Sequence, residues 1–176
     1  MTAGASGTVS GLRLKAEDDE DFGVVSACLQ DALIPAGDMR FLEAESRFVL
    51  VANRFRWENC GETSEMPLPA QAPVLDVAFG PGCRAYERVL CGVTFEGVTR
   101  VRYRGFDPAE HGRILALLAV HPDGAAEAGG PGAVVLEFAS GAAIRLEGER
   151  ITCWLGDLGE PWPTQWRPHH PAGEGA

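Results

Sequence analysis

Lysine is nearly missing from this chain. Of the 15 basic residues only Lys15 is not an arginine, and 25 acids outnumber them, leaving a net charge of −10. A chain of that sign lacks the broad basic face by which proteins grip nucleic acid regardless of its sequence, so nucleic acid is not expected as a partner. No apolar run approaches the roughly 20 residues needed to cross a bilayer, and residues 1–11 have neither the basic start nor the apolar centre of an export signal. Neither membrane nor export is expected. Cysteine is sparse as well: Cys28, Cys60, Cys83, Cys91 and Cys153 are odd in number and irregularly spaced. That pattern suits reduced thiols better than a disulfide framework, so the expected location is the cytoplasm.

The motifs of familiar chemistry are absent too. The sequence holds no C-x-x-C, H-x-x-x-H or H-E-x-x-H spacing to gather a metal, and no G-x-S-x-G to present a nucleophile. His169-His170 falls in a proline-rich tail, and His111 and His121 flank an apolar run as surface loop residues. Gly80-Pro81-Gly82 and Gly129-Gly130-Pro131-Gly132 lead into expected strands, without the Lys-Ser or Lys-Thr of a phosphate loop. Cys91, between Leu90 and Gly92, reads as a small buried hydrophobe. The acidic run Glu17–Asp21 lacks the glycine and alternating ligands of a calcium loop and reads as a helix start. These absences leave no catalytic residue, no metal ligand and no cofactor to expect.

What is present is a folding domain. Apolar residues make up 45% of 176, enough for one core burying about two thirds of the unfolded chain's surface. The expected layout is a disordered leader at 1–11, one domain at 12–160 and a surface-lying or disordered tail at 161–176. Mobile loops are expected at 61–73, where three prolines fall, and at 122–132, which is rich in glycine. Leu12, Leu14 and Ala16 alternate as a strand. A helix capped by Asp18 follows, with Phe22, Val25, Leu29 and Ala32 at helical spacing, and ends before Pro35. Met39–Glu43 and Arg47–Arg54 form a hairpin, and Glu87–Phe95 turns at Glu96-Gly97 into Val98–Arg104. Ile114–Val120 is a further strand. Val134–Ala139 and Ala142–Leu146 form a hairpin with Gly141 left-handed, which sets Val134, Leu136 and Phe138 against Leu146, Ile144 and Ala142 on one face. Ile151, Trp154, Leu155 and Leu158 fall at i, i+3, i+4 and i+7, the spacing of a short C-terminal helix, although Thr152-Cys153-Trp154 also suits a strand. The fold class is α+β: mostly antiparallel β hairpins in a curved sheet or open barrel, with one helix after the first strand and one near the end.

Two places stand out as candidate sites. Only residues 84–113 carry net positive charge, six arginines against four acids, and within them Arg100, Arg102 and Arg104 alternate with Val101 and Tyr103. In a strand their guanidinium groups line one face roughly 7 Å apart. They can hold an anion or pair with acids of neighbouring strands, with Glu87, Glu96 and Glu137 nearest in hairpin order. Asp31, Arg54 and Trp57 are candidate surface contacts, since Asn53-Arg54-Phe55-Arg56-Trp57-Glu58 mixes aromatic and Arg side chains at a strand end, a mixture that suits a packed edge better than a binding platform.

The segments Leu14-Lys15-Ala16-Glu17-Asp18, Ser26–Ala32, Arg47-Phe48 through Asn53–Glu58, Ile144-Arg145-Leu146-Glu147 and Asp157-Leu158-Gly159 together resemble the bacterial domain of unknown function 2948 family over about residues 12–167. That resemblance implies a small cytoplasmic protein and carries no activity, cofactor or catalytic residue with it. The expected role is a noncatalytic binding or adaptor module, with an unknown protein partner or a small anion bound. The alternative is an enzyme or sensor acting on a phosphate- or carboxylate-bearing molecule, using Asp31 with Arg54 or the Arg100 stripe.

Overall fold

The computed structural model describes residues 11–59, 86–124, 130–164 and 168. The expected leader up to Ser10, the loop at 61–73, residues 125–129 of the second loop and nearly all of the tail beyond Thr164 lie outside the described residues. So do Cys60, Cys83, Gly80–Gly82 and the His169-His170 pair.

Alternation at the start makes β1 (Arg13–Ala16), and the acidic run then starts α1 (Asp19–Leu29). Asp18 caps the helix by accepting from the Asp21 N–H at 3.0 Å, and the Asp21 carboxylate reaches back to the Glu17 N–H at 3.2 Å. The helix is a turn shorter than the apolar spacing suggests. Asp31 takes a left-handed φ of 61°, and Ala32 belongs to the approach to β2 (Leu33–Pro35). β3 (Met39–Leu42) and β4 (Arg47–Phe55) form the expected hairpin, closed by a left-handed Ser46. β5 (Tyr86–Arg104), β6 (Ile114–Pro122), β7 (Ala133–Phe138) and β8 (Ala143–Thr164) complete the chain.

All pairings are antiparallel, and they run round the molecule: β8 pairs β5, β5 pairs β4, β4 pairs β2, β2 pairs β6, β6 pairs β7 and β7 returns to β8. The result is a curved, ring-like sheet, with β1 added beside β8 and β3 beside β4. α1 packs chiefly on β6, then on β1 and β4, and buries Phe22, Val25 and Leu29 against the inner face. That face is apolar: Phe48, Leu50, Val93, Phe95, Leu117, Leu136, Ile144, Leu146, Ile151 and Leu155 share one core. The β7–β8 hairpin has the expected register, with Leu136 opposite Ile144, Val134 opposite Leu146 and Gly141 at φ 74°.

Three expectations are corrected. Glu96-Gly97 is no turn, because β5 continues through it as one strand of 19 residues. A left-handed glycine serves a hairpin turn and a β-bulge alike, and here the register slips at Glu96/Val98 while the same partner, β8, runs on opposite both halves. Residues 151–158, where a short helix was expected, belong to β8. Ile151, Cys153 and Leu155 point into the core while Trp154 and Leu158 point out, so the spacing that mimics a helix combines residues from both faces of a strand. Finally, β8 passes the expected end of the domain, and Pro163 and Thr164 lie opposite Glu87 and Tyr86. Prolines fit there because this part of β8 has lost β1 as a second neighbour, so its missing N–H breaks no second ladder.

The two long strands approach each other too closely for side chains at one point. A Cβ on Gly97, where φ is +80°, would lie 2.1 Å from the Arg150 carbonyl oxygen, and one on Gly148 would lie 1.9 Å from that of Gly97. Gly97→Ala is therefore expected to cost about 3 kcal/mol or more. Urea unfolding followed by circular dichroism checks it. A loss under about 1 kcal/mol would contradict the close approach.

Candidate functional site

β4 sends alternate residues inward, and the series Phe48, Leu50, Ala52 ends on Arg54, which is fully buried at 0% exposure. Arg54 is therefore no surface contact, and its burial agrees with a packed strand end; the cause is strand parity, since the position belongs to the core face. Its charge is met from two sides. Arg54 Nε and Nη2 donate to Asp157 of β8 at 2.8 and 2.9 Å, and Nη1 and Nη2 donate to Glu58 at 3.1 and 2.8 Å. Asp157 also accepts from the Leu12 N–H at 2.9 Å, and its own N–H donates to the Leu12 carbonyl at 2.9 Å. The network continues outward through Arg56, which meets Glu58 at 3.5 Å and Glu87 at 2.6 Å.

Burial works against the Arg54 charge, but the hydrogen bonds it donates to Asp157 and Glu58 outweigh it and hold the guanidinium above its ordinary range. Burial would likewise raise Glu58. The Arg54 bond and charge prevail, and its carboxyl lies below the ordinary 4.5. Two thiols border the cluster, and both are protonated at neutral pH. Burial pushes Cys91 up to about 12 and also raises Cys28, where Arg54 offsets it in part. An arginine gripped by two carboxylates, beside neutral thiols, offers neither a free cation nor a nucleophile.

Asp31 and Trp57 lie on segments that flank the end of β4 carrying Arg54. The Trp57 indole donates to the Gln30 carbonyl at 3.1 Å and packs on Phe55 at 4.6 Å. Asp31 donates its N–H to the Leu117 carbonyl, and burial lowers Arg88 below its ordinary range, an effect that the Asp31 charge offsets in part. Glu58 and Asp157, which complete the cluster, fall in segments that carry the family resemblance but were not expected as site residues. The i,i+4 step from Arg54 pointed to Glu58, while nothing local pointed to Asp157, 103 residues away.

Arg100, Arg102 and Arg104 do share the outer face of β5, exposed to solvent. Their acid is Glu147, which meets Arg102 Nε at 3.0 Å and Arg145 Nε at 3.1 Å, while Arg145 also pairs with Asp123. The expected acids are engaged elsewhere: Glu87 with Arg56, Glu96 with Arg47 and Glu137 with His121. Hairpin order misled because β5 lies between β4 and β8, never beside β6. Among the described residues, Arg100 and Arg104 meet no carboxylate. An open cleft of about 480 Å³ nearby is lined by Asp123, Arg145, Glu147 and Glu149, which mix charge without converging on a centre. Among the described residues, no three His, Cys, Asp or Glu side chains gather where they could hold a metal ion, and no helix is long and apolar enough to cross a membrane. Cys28, Cys91 and Cys153 are free.

A different surface stands out on the outer face of β5 and β8. Leu90 and Leu158 lie directly opposite each other, with Trp162 beyond them and Trp154 on their other side. These four are 42%, 50%, 37% and 46% exposed. Trp154 is held upright by a hydrogen bond to Glu96 at 3.3 Å and by Lys15 Nζ lying 5.0 Å from its ring centre.

Arg54→Met leaves Asp157, 3% exposed, without its cation, and is expected to cost about 3–5 kcal/mol in denaturant unfolding. The depressed Glu58 carboxyl contributes stability that is complete above its ordinary value of 4.5 and is lost as pH falls through its lower folded value. Stability of the native chain should therefore fall below about pH 4.5 more steeply than that of Glu58→Gln. Parallel pH profiles would refute the pairing.

The model of a family described as protein of unknown function, DUF2948, matches residues 12–170 and takes in α1 and all eight strands. No curated protein and no solved structure matches the chain. The chain belongs to the DUF2948 family.

Proposed function

We propose that this protein is a noncatalytic binding module whose contact surface is the outer face of β5 and β8. One observation carries the reading: Leu90, Trp154, Leu158 and Trp162 stand exposed on one face of two paired central strands. Aromatic side chains in such a setting are the usual anchors of protein interfaces. The interior supports the same reading from the other direction. Among the described residues the buried Arg54 cluster is met by its own carboxylates, and the thiols beside it are held neutral. The free cysteines favour a reducing compartment, and the cytoplasm is proposed on that ground.

The test is affinity capture from the native cell with the full chain and with Leu158→Lys. An outward position should tolerate the charge, so the variant should melt within about 2 °C of the native chain. A protein retained by the native chain and lost from the variant supports the surface. Identical captures would refute it.

The second reading, a small anion on the Arg100 stripe, rests on Arg100 and Arg104 lacking carboxylates among the described residues. If a site exists there, millimolar phosphate raises the melting temperature by linkage. The expected result is no rise beyond that of chloride at equal ionic strength, because the stripe lies on an open convex face and Glu147 already neutralises Arg102. A phosphate-specific rise abolished by a double Arg100→Ala, Arg104→Ala change would reverse this ranking.

A further inference from the structure

Gly92 of β5 and Gly156 of β8 are direct cross-strand partners in the middle of the apolar outer face, and neither glycine is required by the fold. A Cβ on Gly156 would meet nothing within 4 Å, and one on Gly92 would make ordinary contact with the Leu158 methyl groups at 3.5 Å. Both have the backbone of an ordinary strand residue, in contrast to Gly97 with its φ of +80°. Glycine weakens a strand interior by roughly 0.5–1 kcal/mol, so two facing glycines without a steric reason mark a place where another backbone comes close.

Rows of the sheet define the shape of that place. Gly156 lies between Arg13 of β1 and Gly92, and the next outward row holds Lys15, Trp154 and Thr94. On the other side stand Leu158 and Leu90. The floor over Gly156 is therefore bare, with Trp154 as one wall, Leu158 as the other and Arg13 at one end. Trp154 and Leu158 are four residues apart along a strand, about 13 Å between their Cα atoms. Their side chains narrow that gap to less than the 10–12 Å of a helix, which leaves room for one extended chain. The exposed parts of the four apolar residues total on the order of 350 Å², well short of the roughly 800 Å² per partner of a stable dimer. A second copy is under-supplied on this face, and two chains of net charge −10 repel. Arg13 is exposed and meets no carboxylate among the described residues, so it offers its charge to whatever lies on the shelf.

We propose that the Gly92–Gly156 shelf receives an extended segment of a partner protein that places an apolar or aromatic side chain between Trp154 and Leu158 and a carboxylate on Arg13. This rests on the contact surface proposed above and adds the partner's chemistry to it.

The probe is a panel of short peptides that combine Phe or Leu with Glu or Asp, each with a counterpart carrying Lys in place of the acid. They are titrated into the isotope-labelled full chain while the Gly92, Gly156 and Trp154 signals are followed. Acidic members should shift these signals, and their Lys counterparts should bind about tenfold more weakly or not at all. Gly156→Thr, which fills the shelf, and Arg13→Glu should each lower affinity about tenfold. Gly156→Thr should melt at or above the native temperature, which separates a blocked shelf from a damaged fold. Binding that is lost in Leu158→Lys but indifferent to Gly156→Thr and Arg13→Glu would overturn the shelf and leave the broader surface standing. Absence of binding by every peptide, or binding indifferent to all three variants, would overturn both. A chain that dimerises through Trp154, or a monomer in which Trp154 is already shielded from a soluble paramagnetic probe, would overturn it in favour of a second copy or of the chain's own residues 60–85 as occupant.

Discussion

A single buried guanidinium holds three distant parts of this chain in register. Arg54 ends the inward series of β4, its principal carboxylate is on β8, and that same carboxylate takes the N–H of Leu12 just ahead of β1. A buried cation carries a desolvation cost of several kcal/mol unless its partners are placed well, so the arrangement tolerates only the register that brings Asp157 to Arg54. Any slip of β8 by one residue would turn Asp157 to the outer face and bring a glycine or leucine to the charge. The ion pair thus specifies the fold by penalising its alternatives, with the apolar core supplying the bulk of the driving force.

That register has consequences on the other side of the sheet. With Asp157, Leu155 and Cys153 fixed inward, parity sends Leu158, Gly156 and Trp154 out, opposite Leu90, Gly92 and Thr94 of β5. The interior charge cluster and the exterior apolar face are two readings of the same pairing. The crossing of the long strands at Gly97 and Gly148 then bends both, so that one half of β8 faces β1 and the other faces β7. The ring-like pairing follows from two long strands, β5 serving β4 and β8, and β8 serving β5, β7 and β1.

Much of the fold was legible because its signals are local. Asp18 before an apolar period, Ser46 between two alternating runs and Gly141 in the last hairpin act over a few residues, where cap and turn chemistry decides. The Arg100, Arg102 and Arg104 stripe was legible for the same reason, since period 2 alone puts the three side chains on one face. Legibility failed where one local pattern serves two structures. Gly97 supports a turn or a bulge, and Ile151–Leu158 reads as a helix if Trp154 and Leu158 are counted as core.

Taken by itself, the sequence determined the class of the molecule: an acidic, mostly antiparallel α+β domain with one capped helix, several hairpins and no familiar catalytic or metal-binding motif. These follow from composition and from interactions within a few residues of each other. Only the tertiary structure decided which side of each strand is the inside, that Arg54 is a buried staple held by Asp157 and Glu58, and that Glu147 answers Arg102. It alone set Leu90, Trp154, Leu158 and Trp162 together on one exposed face. Those outcomes depend on pairings between residues tens of positions apart. The free energy that selects them is the burial of a whole core, to which no short stretch of sequence contributes more than a fraction.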